Sequence, residues 1–399
     1  MPQLGHAVIN ANLRHLLADA MPPRSPPATL TDFNLQILLQ EADGGRITPH
    51  PSVTALLECL RDDPELAMFH GRTQIVGDVG KGVTQVFLAE WLLRRAGTVG
   101  ADQAVTDLER YLRTERLPYH ATTAVGGIKV DRAHDLGHAM RLVPWKDVTS
   151  SRTKRSIDDA ETFHRSFYDL NCALLREMEL PRTHVHYTEA RHHLQSRDVT
   201  AETDLLLCLG LVGPTAPVLL ASWLEPPDWA PMITGSLSMP FVEGPGKAKP
   251  ILESAVVEAS RLFSQWIGLS EERRVELRVP MQRLNSAMRR PSLVDSAIDL
   301  GIALESIFLP DGRGALTFRL RVRAARWLGS TPEERQRLSA TVGDLYAVRS
   351  MAVHEGRVPD AIHRRATREL LEEGYELTAR ALVALISKGD PDWDAVTYG

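Results

Sequence analysis

Arg349, His354 and Glu305 are the residues of this chain whose types and placement could together do chemistry. An arginine guanidinium is planar, permanently charged and shaped to hold a phosphate. A histidine takes and gives a proton near neutral pH, its unperturbed pKa being about 6.5. A carboxylate beside the guanidinium would orient it through a charge-assisted bond.

The elements that must position these groups show as helical periodicity. Thr331 to Val353 reads as one helix, with Leu338, Val342 and Leu345 on its apolar stripe. The same stripe, continued by one turn, reaches Arg349, where a long charged side chain is rarely placed without a partner. His354 follows at the helix end, just before Gly356, a residue suited to a C-cap. Val294 to Leu309 reads as a second helix, bounded by Pro291-Ser292 and by Pro310-Asp311-Gly312. Its stripe is Ile298, Ile302 and Leu309, and Glu305 lies on it. One helix thus aims a carboxylate inward and the other a guanidinium, and the simplest solution is that they meet. Asp299, about a quarter-turn off the stripe, is placed to flank the pair. Periodicity does not choose between Glu305 and Asp299 as the acidic partner. For an isolated arginine and histidine at this spacing, a structural ion pair between helices is the plainer reading.

Four segments in order carry a more specific pattern: Ile298-Asp-Leu-Gly-Ile-Ala-Leu-Glu305, the arginine-rich Phe318–Leu328 stretch, Leu345-Tyr-Ala-Val-Arg-Ser350, and Val353-His354. Together they resemble the Apea-like branch of the HEPN superfamily, over roughly Val279 to Lys388. The resemblance implies a helical bundle that forms a homodimer and acts as a metal-independent endoribonuclease, with no cofactor. It places Arg349 and His354 in the catalytic motif, with Glu305 or Asp299 in support. Ser350 stands where many members carry Asn, Asp or His, and its hydroxyl keeps a hydrogen-bonding group there. Gly356 stands where some toxin relatives carry a modifiable tyrosine, so that mode of control is not expected. In such chemistry the 2′-hydroxyl of RNA attacks the neighbouring phosphate, leaving a 2′,3′-cyclic phosphate and a 5′-hydroxyl. Histidine would move the proton and arginine would stabilise the phosphoryl charge. Two-fold pairing would bring two arginine–histidine pairs into one cleft. The resemblance further implies anti-phage defence by abortive infection. The N-terminal region would then sense a trigger, a ligand or a phage protein, or restrain the nuclease. The alternative is a non-catalytic RNA-binding or protein-interaction module on the same fold, with Arg349 and Glu305 as a tie between helices.

An RNA groove needs positive charge, and Leu316 to Leu328 offers a candidate helix. Leu316, Leu320, Ala324, Trp327 and Leu328 form its expected buried stripe. Arg319, Arg323 and Arg326 fall on another face, with Arg313 and Arg321 nearby, and are the expected phosphate contacts. A solvated charged face is the competing reading. Arg289, Arg290, Arg364 and Arg365 are further candidates.

The whole chain bounds the rest. Its 399 residues, 43% apolar and 24% charged, have ordinary globular composition and are long enough for two or three domains. A net charge of -5 argues against general nucleic-acid coating but allows a local basic cleft. Three cysteines without metal spacing fit a reducing compartment. No signal-peptide pattern and no membrane-length apolar run is seen, so a cytoplasmic protein without a membrane partner is expected. The expected fold is a mixed α+β N-terminal region over residues 1–245, an all-α HEPN-like bundle over 251–390, and an extended tail over 391–399. Pro22–Pro27 reads as a loop and Val242–Pro250 as a linker. Strands are expected over Gly71–Val79, Thr122–Val130, His138–Val143, Leu205–Val212, Val218–Trp223 and Thr234–Phe241. Helices are expected over Ser52–Arg61, Val83–Ala96, Asp158–Glu179, Ile251–Ile267, Glu271–Met288 and Asp360–Ser387. Gly77–Gly82 lacks phosphate-loop spacing and reads as a turn. His134 and His138 lack a zinc-helix context, and His184, His186, His192 and His193 read as a polar surface before a metal site.

Overall fold

The computed structural model describes residues 12–20, 51–163, 170–194, 199–213, 215–235, 237–238, 248–310 and 316–399. The Pro22–Pro27 loop, most of the 242–250 linker and Arg313 lie outside the described residues. The helices used below are α1 (Leu13–Ala20), α2 (Pro51–Asp62), α3 (Gln85–Val99), α4 (Ala101–Arg113), α5 (Arg152–Phe163) and α6 (Thr200–Leu211). They are followed by α7 (Glu253–Ile267), α8 (Glu271–Arg289), α9 (Leu293–Phe308), α10 (Leu316–Leu328), α11 (Pro332–Glu355), α12 (Thr367–Lys388) and α13 (Trp393–Tyr398). The strands are β1 (Arg72–Val76), β2 (Val79–Val83), β3 (Arg116–Gly126), β4 (Ile128–Lys129), β5 (His134–Gly137) and β6 (Met140–Pro144). They continue with β7 (Leu170–Pro181), β8 (Thr183–His186), β9 (Val218–Glu225), β10 (Lys249–Pro250), β11 (Ala361–Ile362) and β12 (Arg365–Ala366). The largest sheet has five strands in the order β5-β6-β7-β3-β9.

The chain divides into two compact units. The first comprises residues 1–122, 176–197 and 223–238. Its core joins Leu17 of α1, Leu56 and Leu60 of α2, Leu88 and Leu92 of α3, and Leu108 and Tyr111 of α4. Its antiparallel sheet runs β2-β1-β8, with Gln74 opposite Lys81 on one side and His184 on the other. Gly77-Asp-Val-Gly-Lys-Gly82 forms the β1–β2 turn and β2, with Gly77 at φ 61°. That geometry favours glycine.

The second unit comprises residues 123–175, 198–222 and 239–399. All the long C-terminal helices lie here, and they share one core with α6 and the sheet residues Val125, Cys172 and Leu174. A contiguous split at residue 245 is therefore corrected, because the helical region buries its apolar faces against segments far upstream in sequence.

Four local expectations are also corrected. Leu205–Val212 is helix α6, not a strand. It is buried on every side, so its apolar run carries no period to tell helix from strand. Asp158–Glu179 is not one helix: α5 ends at Phe163, and Leu170–Pro181 is β7. Asp360 does not begin the last long helix. Residues 361–366 form the β11–β12 hairpin, turning through His363 and Arg364 at φ 49° and 68°, and α12 starts at Thr367. The Thr234–Phe241 strand is absent from its described residues, apart from a single bridge at Ser238. Helix α4 has no counterpart among the expectations. Among the described residues no helix is long and apolar enough to cross a membrane.

Candidate functional site

The site is built on two capped helices. Thr331 caps α11, its hydroxyl accepting from the Glu334 N–H at 3.2 Å, with Pro332 and two glutamates in the first turn. Gly356 ends it at φ 66°, as a left-handed C-cap. Ser292 caps α9, accepting from Asp295 N–H at 3.3 Å. Leu300 and Leu304 of α9 and Leu345 and Val348 of α11 are buried in one apolar cluster.

Across this contact Arg349 lies directly over Gly301. A methyl built on Gly301 would overlap Arg349 Cγ and fall 3.2 Å from its Cβ and 3.3 Å from its Cδ. The glycine is therefore the groove in α9 that admits the arginine stem. Arg349 Nη2 donates to Glu305 Oε2 at 3.3 Å, and the guanidinium carbon stands 5.8 Å from the Tyr346 ring centroid. Among the described residues its buried Nε finds no acceptor.

Glu305 and Arg349 keep 27% and 23% of their side-chain surface exposed, so the pair sits at the rim of the bundle. The expected stripe of Ile298 and Ile302 is half-buried in the same way. The fully buried face of α9 is Ala297, Leu300, Leu304, Ile307 and Phe308. This helix is apolar nearly all round, so periodicity alone does not fix which face is innermost.

Asp299 serves another purpose. It is almost wholly buried and accepts from Arg283 Nη1 of α8 at 2.8 Å and from Nε of Arg290, the residue that caps α8, at 2.9 Å. It therefore ties α8 to α9 and does not flank Arg349, which leaves Glu305 as the acidic partner. His354 is exposed at the end of α11. Five residues beyond Arg349, it points about 140° away around the helix and stands about 7.5 Å further along it. Ser350 lies half-buried between them.

The arginines of α10 are corrected more strongly. Arg323 is fully buried and Arg319 nearly so. Arg323 donates from Nη1 to the Phe308 carbonyl at 2.8 Å and from Nε to Thr397 Oγ1 at 2.9 Å. Arg326 donates to the carbonyls of Val396 and Thr397 at 3.2 and 3.0 Å. Arg323 and Arg326 hold the C-terminal segment in place, and with Arg319 and Arg323 buried the three are not laid out as a phosphate-binding face. That segment is no extended tail. It forms α13, whose Trp393 joins an aromatic cluster with Phe308 and Trp327, at centroid distances of 5.8 and 5.4 Å. Arg365 is likewise committed, to Asp344 at 2.9 Å and to Glu373.

The histidine cluster separates. His184 is half-buried against the core of the first unit, between the Met68 carbonyl at 3.0 Å from Nδ1 and the Tyr111 hydroxyl at 2.6 Å from Nε2. Burial pushes its pKa down to about 4, against a hydrogen bond to Met68 that acts the other way. His186 is exposed and bonds Thr188. Among the described residues no group of three or more His, Cys, Asp or Glu side chains is arranged to hold a metal ion.

Sequence reasoning missed Gly301, Tyr346 and the hold of Arg283 and Arg290 on Asp299. Tyr346 was findable, since it lies three residues before Arg349 and so on the same face. Comparison with protein-family models, curated proteins and solved structures finds no significant match to this chain.

Proposed function

We propose that the C-terminal helices form a HEPN-type nuclease that cuts RNA without a metal, leaving 2′,3′-cyclic phosphate and 5′-hydroxyl ends. One observation carries the reading: at the bundle rim, Glu305 and Gly301 hold a partly exposed Arg349 in place, one turn and a half before an exposed histidine. A guanidinium held this way is pre-organised for a phosphoryl oxygen. His354 supplies the proton-transfer group.

The divergence of the two side chains on one helix gives a reason for pairing. Arg349 of one copy and His354 of another would face a common phosphate more readily than both from one chain. Val353, one turn from Arg349 and 45% exposed, supports a contact there between copies. The N-terminal part would sense a trigger or restrain the nuclease in anti-phage defence, because an unrestrained ribonuclease would poison its host. On this reading the working form is a cytoplasmic homodimer.

The test is cleavage of total RNA in EDTA by the full chain, with folding of each variant confirmed by circular dichroism. Wild type should cut with cyclic-phosphate ends, and Arg349→Ala and His354→Ala should each lose about 100-fold or more. Glu305→Gln should lower activity by releasing the guanidinium. Asp299→Asn should lower stability and leave cutting by the folded fraction intact. Cutting that survives both Arg349→Ala and His354→Ala would place the chemistry elsewhere. No cutting by any form would favour a non-catalytic interaction module, in which the Arg349–Glu305 pair only ties two helices.

A further inference from the structure

The second unit contains a cleft of about 810 Å³ between α6, α12 and the α8–α9 turn. One wall is a stripe of α12 made of two parallel lines. Leu371, Tyr375, Ala379 and Val383 form an apolar floor, and Arg368, Glu372, Glu376 and Arg380 form a charged rim. From Arg368 to Val383 the stripe is about 22 Å long. Met288, at the end of α8, and Leu293, at the start of α9, extend the floor. Tyr375 is fixed there by its hydroxyl, which lies 2.5 Å from Ser296 Oγ and 3.3 Å from the Ala287 carbonyl.

The charges of the lining differ in how far they are committed. Arg380 donates to the Leu328 carbonyl at 2.9 Å and to Glu334 at 3.3 Å. Arg289 and Arg290 are held by Asn285 at 3.0 Å and by Asp299 at 2.9 Å. Glu258 pairs with Arg261 at 3.7 Å. Arg368, Glu372 and Glu376 are exposed, and among the described residues none of the three makes an ion pair. The rim thus presents one positive and two negative charges, each one helical turn from the next. Like charges at this spacing destabilise a helix, so cations set across Glu372 and Glu376 would relieve a repulsion.

The wall facing α12 is rich in main chain. Gly127, Gly210 and Gly213 line it, and the C-terminal turn of α6 ends there. A helix C-terminus leaves carbonyls without helical partners, and these accept hydrogen bonds from N–H groups.

The spacing selects the guest. Four residues of helix rise about 6 Å, close to the roughly 6.6 Å spanned by two residues of an extended chain. An extended segment with alternate apolar residues would therefore set those on the floor and its other side chains on the rim, while its N–H groups meet the end of α6. Nucleic acid is a poor guest, because Glu372 and Glu376 would face its phosphates. We infer that this cleft docks an extended protein segment of about six or seven residues, alternately apolar and charged, with an acidic side chain against Arg368 and basic ones against Glu372 and Glu376. The inference stands apart from the nuclease reading, because the site shares neither Arg349 nor His354.

The full-length protein is titrated by fluorescence anisotropy with two labelled, C-terminally amidated peptides. One is Glu-Leu-Lys-Leu-Lys-Leu and the other is its charge-reversed counterpart, Lys-Leu-Glu-Leu-Glu-Leu. The first should bind at least about 10-fold more tightly than the second. Glu372→Lys and Glu376→Lys, both at exposed positions, should each weaken the first peptide by about 10-fold while melting temperature and circular dichroism stay unchanged. Together the two substitutions should reverse the preference. Ala379→Trp, which fills the floor, should abolish binding, and Glu369→Lys, an exposed change on α12 outside the lining, should leave it intact. The inference is overturned if the first peptide does not bind at about 1 mM, if both peptides bind alike, or if the charge reversals leave its affinity unchanged.

Discussion

Gly301→Ala separates two physical expectations that have opposite signs. In an exposed helix interior this substitution is stabilising, because alanine exceeds glycine in helix propensity by about 0.8–1 kcal/mol. Here the new methyl would overlap Arg349 Cγ and crowd its Cβ and Cδ. These atoms are the stem of the side chain, close to the α11 backbone, so they cannot swing clear as a flexible end could. Overpacking of this kind costs about 1–3 kcal/mol. The displaced guanidinium also leaves Glu305, losing a half-exposed pair of about 0.5 kcal/mol. Together these outweigh the propensity gain, and a net destabilisation of about 1–2 kcal/mol is expected. The decisive comparison is the double-mutant cycle with Arg349→Ala, which removes Cγ and Cδ. In that background Gly301→Ala should turn from destabilising to stabilising, a coupling of about 2 kcal/mol. Urea unfolding followed by far-ultraviolet circular dichroism reads all four chains. Additivity within about 0.5 kcal/mol, or stabilisation by Gly301→Ala in both backgrounds, would refute the argument that Gly301 is the groove for Arg349.

Two further predictions concern parts away from the Arg349 groove. His184 has its pKa pushed from 6.5 down to about 4, so below pH 6.5 the unfolded chain takes up a proton that the folded chain refuses. The stability contributed by neutral His184 is complete above pH 6.5 and falls by up to about 3 kcal/mol as the pH approaches 4. His184→Gln should flatten the pH dependence of unfolding across that window, and an unchanged slope would contradict the buried placement. Trp393→Ala should cost about 2 kcal/mol by opening the aromatic cluster around Phe308. Ending the chain at Gly389 should cost more, since buried Arg323 also loses its Thr397 acceptor. A thermal melt that does not move in the shortened chain would show that α13 holds nothing.

The helices around the site were legible because their signals are local. Thr331-Pro332, Ser292 and Gly356 mark the ends of α11 and α9 through hydrogen bonds and dihedral preferences that involve only neighbouring residues. The meeting of Glu305 with Arg349 also followed from residue order, since a charge on an apolar stripe needs a partner. What periodicity left open was which face lies innermost, and that is set by the neighbours. Asp299 and Glu305 look equivalent along α9, yet Arg283 and Arg290 claim the first and Arg349 the second. Arg323 reads as a surface cation on α10 until α13 folds back over it from more than sixty residues away. The cleft likewise brings together Gly127, Arg289 and Arg380, which no local pattern connects. Residue types and short spacings determined which groups this chain has for chemistry and which helices carry them. Burial depends on every segment that packs against a residue, so only the tertiary structure decided which of those groups reach the surface.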